Sequence, residues 1–201
     1  VRNRLLLAAA LTVASVLAPA GAANSMVVKS DLLSHARVAK LYPHLVDGSR
    51  YTNRSPGLFL VGADCATDKL HRAKGWYAGY DPKRPMAVTA AKPYVYLHVW
   101  DFATVKRAKK AVAAARDLPQ RCPLVDAPSG ATEVTAYDVP AVGQEGTGYR
   151  MHTPSEKGWA TIGLARSGAR VVHVGVVSSR NGFGADRPIR KLIKAAAARA
   201  L

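Results

Sequence analysis

Three shortages bound what this chain is. It holds only two cysteines, Cys65 and Cys122, and no Cys-x-x-Cys pair, which excludes the usual dithiol redox motif. It holds 13 acidic residues against 29 lysines and arginines. The acids are scattered singly, leaving no local pair for a two-carboxylate hydrolase. No stretch reaches the roughly 20 apolar residues that a membrane-spanning helix needs. The motifs of common enzymes are missing too. There is no Gly-x-Ser-x-Gly elbow, no His-Glu-x-x-His, and no Gly-x-x-x-x-Gly-Lys phosphate loop. Gly182-Phe183-Gly184 lacks the third glycine of a dinucleotide fingerprint. Only a catalytic group assembled from distant residues stays open.

What is present starts with a leader. Arg2 and Arg4 precede an uncharged apolar run, residues 5–17, and Pro19 with Ala20-Gly21-Ala22 follows. This is the three-part pattern of a secretory signal peptide, expected over residues 1–23 and absent from the mature form. Residues 24–201 then make one domain, secreted or associated with the cell envelope, with no transmembrane anchor. In an oxidising compartment Cys65 and Cys122 pair as one structural disulfide; buried free thiols are the alternative. The formal charge is +16, and +14 once Arg2 and Arg4 are removed. Such an excess favours anionic partners such as envelope polymers, acidic lipid headgroups or nucleic acid, or else it merely solvates the surface.

Periodicity sketches the elements. Ser30 caps a helix to about residue 41, ended by Pro43, and residues 48–57 read as loop. Residues 58–64 form a strand entering Cys65, and a basic irregular segment follows. Strands are predicted over 86–91 and 94–100, then a helix from 102 to about 118 capped by Asp101. Strands over 133–139 and 148–152 precede a hairpin, 159–165 and 169–177, turning at Arg166-Ser167-Gly168. Asp186 caps a last helix, with Pro188 in its first turn, that carries the apolar stripe Ile189, Leu192, Ile193, Ala196, Ala197 and Ala200. The fold class is α+β: one domain, an antiparallel β-sheet with helices packed on one face, and one disulfide.

The spacing resembles a known family. Cys65 follows a strand, and a helix opening Trp100-Asp101-Phe102 ends at Arg121-Cys122-Pro123. Val142-Gly143-Gln144-Glu145-Gly146, then Ser167-Gly168-Ala169-Arg170-Val171-Val172 and an Ala-rich helix complete the pattern. Together they resemble the PknH-like extracellular sensor domains of actinobacteria, here as a free-standing exported member. That resemblance implies an antiparallel sheet with packed helices and a ligand-receiving cleft. It carries no established ligand and no catalytic residues. Members commonly have two disulfides where this chain has one, and no kinase domain is present.

Alternation over residues 94–100 places Tyr94, Tyr96, His98 and Trp100 on one strand face and Val95, Leu97 and Val99 on the other. The aliphatic face suits a core under helices. The aromatic face suits a stacking or sugar-binding cleft, or the second half of a two-sided core. On the first reading these four residues are the ligand-binding candidates, and Trp100→Ala should abolish binding with little change in thermal midpoint. His98, His152 and His173 sit on predicted strands without metal-ligand spacing, so no metal or other cofactor is expected. Lys106, Arg107, Lys109 and Lys110 on the central helix, and Arg187, Arg190, Lys191 and Lys194 on the last, are candidates for an anionic surface. Aromatics are not interleaved among them, so specific nucleic-acid binding is not expected. The expected function is a secreted, non-enzymatic, sensor-like binding domain for an envelope-derived or small ligand. The alternatives are an exported hydrolase of cell-wall material and a charge-driven structural protein of the envelope.

Overall fold

A computed structural model describes residues 26–201 apart from 67, 85, 128, 129 and 181. The expected leader, residues 1–23, lies outside the described residues. Hairpin connections make two antiparallel meanders. The first contains β1 (Ser49–Val61), β2 (Asp68–Asp81) and β3 (Tyr94–Asp101). The second contains β4 (Leu124–Ala127), β5 (Gly130–Ala136), β6 (Glu145–Thr153), β7 (Gly158–Ser167) and β8 (Arg170–Ser178). They join where β8 pairs with β3, giving one eight-stranded sheet in the order β1-β2-β3-β8-β7-β6-β5-β4. The β7–β8 turn needs its glycine: Gly168 adopts φ +57°, a left-handed conformation that side-chain-bearing residues adopt at a cost.

Among the described residues three α-helices complete the domain: α1 (His35–Ala39), α2 (Val105–Arg121) and α3 (Asp186–Ala200), the last with Ala185, not Asp186, at its cap position. The antiparallel sheet with packed helices and one disulfide is as expected. The helices, however, are divided between the two faces instead of sharing one. On one face Val95, Leu97 and Val99 meet Val172, Val174 and Val176 beneath the α3 stripe and the segment around α1. On the other, Trp100, Tyr149, Ile162 and Leu164 meet α2 through Ala108, Ala111, Val112, Ala115 and Leu118. Alternation makes both layers possible, because each central strand is apolar on both sides. Each fully buried large side chain contributes roughly 1.5–3 kcal/mol.

The local differences have physical causes. Thr104, not Asp101, caps α2 by accepting the Arg107 N–H. Asp101 stays in β3, opposite Arg170 of β8, and its carboxylate accepts from Arg170 Nε at 2.9 Å and Nη2 at 3.2 Å. It also accepts the Val27 N–H at 2.9 Å. Ser34, not Ser30, caps the first helix, which is a single short turn of five residues. Residues 49–57, read as loop, belong to edge strand β1; their proline sits at a register shift between Ser55 and Gly57, where no ladder donor is needed. The basic stretch after Cys65 is β2, ordered by pairing with both β1 and β3. Residues 86–91 form no strand; in their place Ala90 N–H donates to Arg180 O at 3.1 Å. Short β4 carries no alternation signal. Cys65 and Cys122 are bonded, with Cα atoms 5.5 Å apart, tying the end of β1 to the end of α2. No helix among the described residues is long and apolar enough to cross a membrane.

Candidate functional site

α2 runs across one face of the sheet and covers only part of it. On that face β1, β2, β3 and β8 carry a contiguous row of aromatic rings, from exposed Tyr51 through Tyr77 and His98 to buried His173 and Trp100. Register builds this surface. His98 stands opposite Tyr77 of β2 and His173 of β8. Tyr96 stands opposite Gly79 and Gly175, and Gly79 in turn opposes Tyr51 of β1. Trp100 stands opposite Gly75. Each glycine seats a ring from the neighbouring strand. A Cβ at Gly175 would lie 2.0 Å from Tyr96 Cζ, one at Gly79 2.3 Å from Tyr51 Cζ, and one at Gly75 2.4 Å from Trp100 Cδ1. Glycine within a strand weakens the strand itself, and close approach of a neighbouring group is what it permits.

Two polar clusters lie on this surface. The hydroxyls of Tyr51, Tyr77 and Tyr94 form one: Tyr51 Oη is 2.6 Å from Tyr94 Oη and 3.1 Å from Tyr77 Oη, and Tyr77 also bonds Tyr94. Burial, with the bond to Tyr51, pushes Tyr77 up to about 12 although Tyr94 acts to lower it; burial and the bonds to Tyr51 and Tyr77 hold Tyr94 higher still, and burial raises Tyr96. Tyr77, Tyr94 and Tyr96 are therefore neutral at physiological pH. The second cluster is the imidazole pair. The His98 and His173 ring centroids are 5.3 Å apart, and His98 stacks on Trp100 at 4.6 Å. Burial drives His98 down to about 2, with a small repulsion from His173, and drives His173 to about 3. Trp100 Nε1–H donates to Ser55 Oγ at 2.8 Å, which leaves the hydroxyl proton available to His98 Nδ1 at 3.2 Å.

The chemistry of this face is stacking and neutral hydrogen bonding. Tyr51 is 40 % exposed, and Tyr77, Tyr94, Tyr96 and His98 are half-buried. The Ser55–His98 contact resembles two members of a catalytic triad, but burial and His173, not a carboxylate, set the charge state of His98. An imidazole titrating near 2 is a poor general base at neutral pH.

Of the four ligand-binding candidates, Tyr94, Tyr96 and His98 keep part of their surface exposed on this face. Trp100 does not: it is 1 % exposed, packed in the core beneath α2. Its place as a ligand contact is corrected, because the helix that follows it folds back over its ring. Sequence reasoning missed Tyr51 and Tyr77, whose strands read as loop and irregular segment. The signal for them was alternation of Tyr77 with Gly75 and Gly79, which placed one aromatic between two ring seats. A three-histidine site is not assembled, since His152 lies on the opposite face, stacked on Trp159 at 4.9 Å beside Glu133. Among the described residues no group of three His, Cys, Asp or Glu side chains is placed to hold a metal.

The basic candidates fall into two separated groups. Lys106, Arg107, Lys109 and Lys110 are exposed on α2, on the aromatic side of the sheet. Arg187, Lys191 and Lys194 are exposed on α3, across the sheet, while Arg190 is half-buried and pairs with Asp138 at 3.3 Å. The two groups do not form one surface.

No protein-family model matches the sequence, and no curated protein matches it. Among solved structures, the chain is similar to the extracellular domain of PknH from Mycobacterium tuberculosis, with a TM-score of 0.45 and 14% identity. The similarity covers 83% of this chain and 92% of that one.

Proposed function

We propose that the chain is a secreted, non-enzymatic, sensor-like binding domain that takes an envelope-derived or small ligand on its aromatic sheet face. The observation that carries this reading is the phenol cluster of Tyr51, Tyr77 and Tyr94, with Tyr51 exposed and seated on Gly79, beside the half-buried ring of Tyr96 seated on Gly175. Rings with open faces and clustered hydroxyls suit an uncharged, hydroxyl-rich or planar ligand. Secretion is supported by the Cys65–Cys122 disulfide, a bond that persists in oxidising compartments.

Co-sedimentation with isolated bacterial envelope at low and high salt tests the reading, with Tyr51→Ala and Tyr94→Ala as variants. Retention at high salt that both substitutions abolish is the expected result. Release at high salt, equal to that of a charge-matched control protein, would leave only a charge-driven structural role. The hydrolase alternative rests on the Ser55–His98 contact. Turnover of envelope material that disappears in Ser55→Ala would favour it over binding alone.

A further inference from the structure

On the side of the sheet away from the aromatic face, α1 and α3 frame two adjoining grooves of about 570 and 400 Å³. They share Arg37, Ala195 and Ala198. Six cations line them: Arg37, Lys40, Arg50, Lys191, Lys194 and Arg199. No aspartate or glutamate does. Arg50 and Arg199 are held in place by backbone carbonyls, Leu33 O at 2.8 Å and Ser30 O at 2.7 Å. None of the six forms an ion pair within 4.0 Å among the described residues, although Arg170, Arg166, Arg150 and Arg190 elsewhere all do. Between the cations the floor is apolar: Leu33, Leu41, Ala195 and Ala198.

We infer that this double groove docks the protein on an anionic lipid surface. A lipid phosphate would sit among the cations, and the glycerol and first methylenes would lie over Leu41, Ala195 and Ala198. Charge complementarity selects the anion, since six like charges around one depression repel one another until a counter-charge enters. The floor selects a lipid over a soluble polymer, because a hydrated polyanion gains nothing from apolar surface between its contacts. This surface is separate from the proposed ligand face, so the two stand or fall independently.

The test is sedimentation of the full chain with vesicles of phosphatidylcholine alone, or with about one-third phosphatidylglycerol. Binding to neutral vesicles sets a baseline that includes any contribution of the apolar segment at residues 5–17. The increment with anionic lipid is the quantity read. Basic residues near an anionic surface add to binding one by one, so Arg37→Glu/Lys194→Glu should reduce the increment at least about tenfold. Lys106→Glu/Lys110→Glu on α2 makes the same change in net charge and should reduce it no more than about threefold. Ala198→Trp should add emission quenched by brominated lipid, with no reversal of charge and little demand on folding. Equal losses in the two charge-reversed pairs, no anionic increment in the wild type, or an unquenched Ala198→Trp would overturn the inference. Loss of the increment to competing poly-glutamate at equal charge would also overturn it, assigning the groove to acidic polymers.

Discussion

The ring of Tyr96 rests on the backbone of Gly175, its Cζ only 2.0 Å from where a Cβ would stand. The two residues face each other across the β3–β8 seam, and the contact fixes the height of the aromatic face. A Gly175→Ala substitution must lift the ring, which should cost about 1–3 kcal/mol by overpacking. In a Tyr96→Ala background the same substitution should cost little. Urea unfolding of the four-member cycle reads the coupling, and additive losses would mean that the ring is not seated on Gly175.

Acid should weaken the fold through the imidazole pair. Both histidines remain neutral in the folded protein, titrating at about 2 and about 3 against 6.5 for the ordinary group. Below about pH 6.5 the unfolded chain binds protons that the folded chain refuses, so it gains stability relative to the fold. The contribution is thus intact above pH 6.5 and declines as pH falls toward 3. Each fully responding histidine adds roughly 1 kcal/mol per pH unit to the slope. Unfolding free energies between pH 6.5 and 4.5 should therefore fall more steeply in wild type than in His98→Gln/His173→Gln. Identical slopes would show that the pair titrates normally.

Trp100→Ala should destabilise strongly, by roughly 3–5 kcal/mol, because it opens a cavity in the core beneath α2 and leaves Ser55 without a donor. Tyr51→Ala, on a residue 40 % exposed, should cost far less. Thermal melts of the two variants separate core from site, and equal losses would contradict that division.

Removing the disulfide tests how far the α2 layer depends on it. The bond closes a loop with a sequence separation of 57, for which chain entropy gives a stabilisation of roughly 4 kcal/mol. Cys65→Ala/Cys122→Ala should lose an amount near this value in denaturant unfolding under non-reducing conditions. A loss under about 1 kcal/mol would place the constraint elsewhere.

Legibility followed the periodicity. The β7–β8 hairpin, β3 and the stripe of α3 were readable because alternation and helical spacing were uninterrupted there. β1 and β2 were not. Asn53, Ser55, Pro56 and Gly57 signal turns locally, and only pairing with a neighbouring strand makes them extended. The site was half legible for the same reason. Tyr94, Tyr96 and His98 share a strand and declare a face together, whereas Tyr51, Tyr77 and His173 arrive from three other strands by register. Trp100 was misplaced because alternation assigns a side but not what covers it. Likewise, the joining of Arg37 and Lys40 to the α3 cations depends on how α1 packs, which no local pattern encodes.

The order of the strands also has a kinetic meaning. Each meander is built from hairpins, but the seam pairs Trp100 with Val171 and Tyr94 with Val177, residues far apart along the chain. Closing such a long loop costs entropy before any contact repays it. The two meanders can therefore organise locally while the sheet itself stays open until β8 is available. His98 and His173 meet only when that seam closes, so the pairing that joins the two meanders also brings the halves of the aromatic face together.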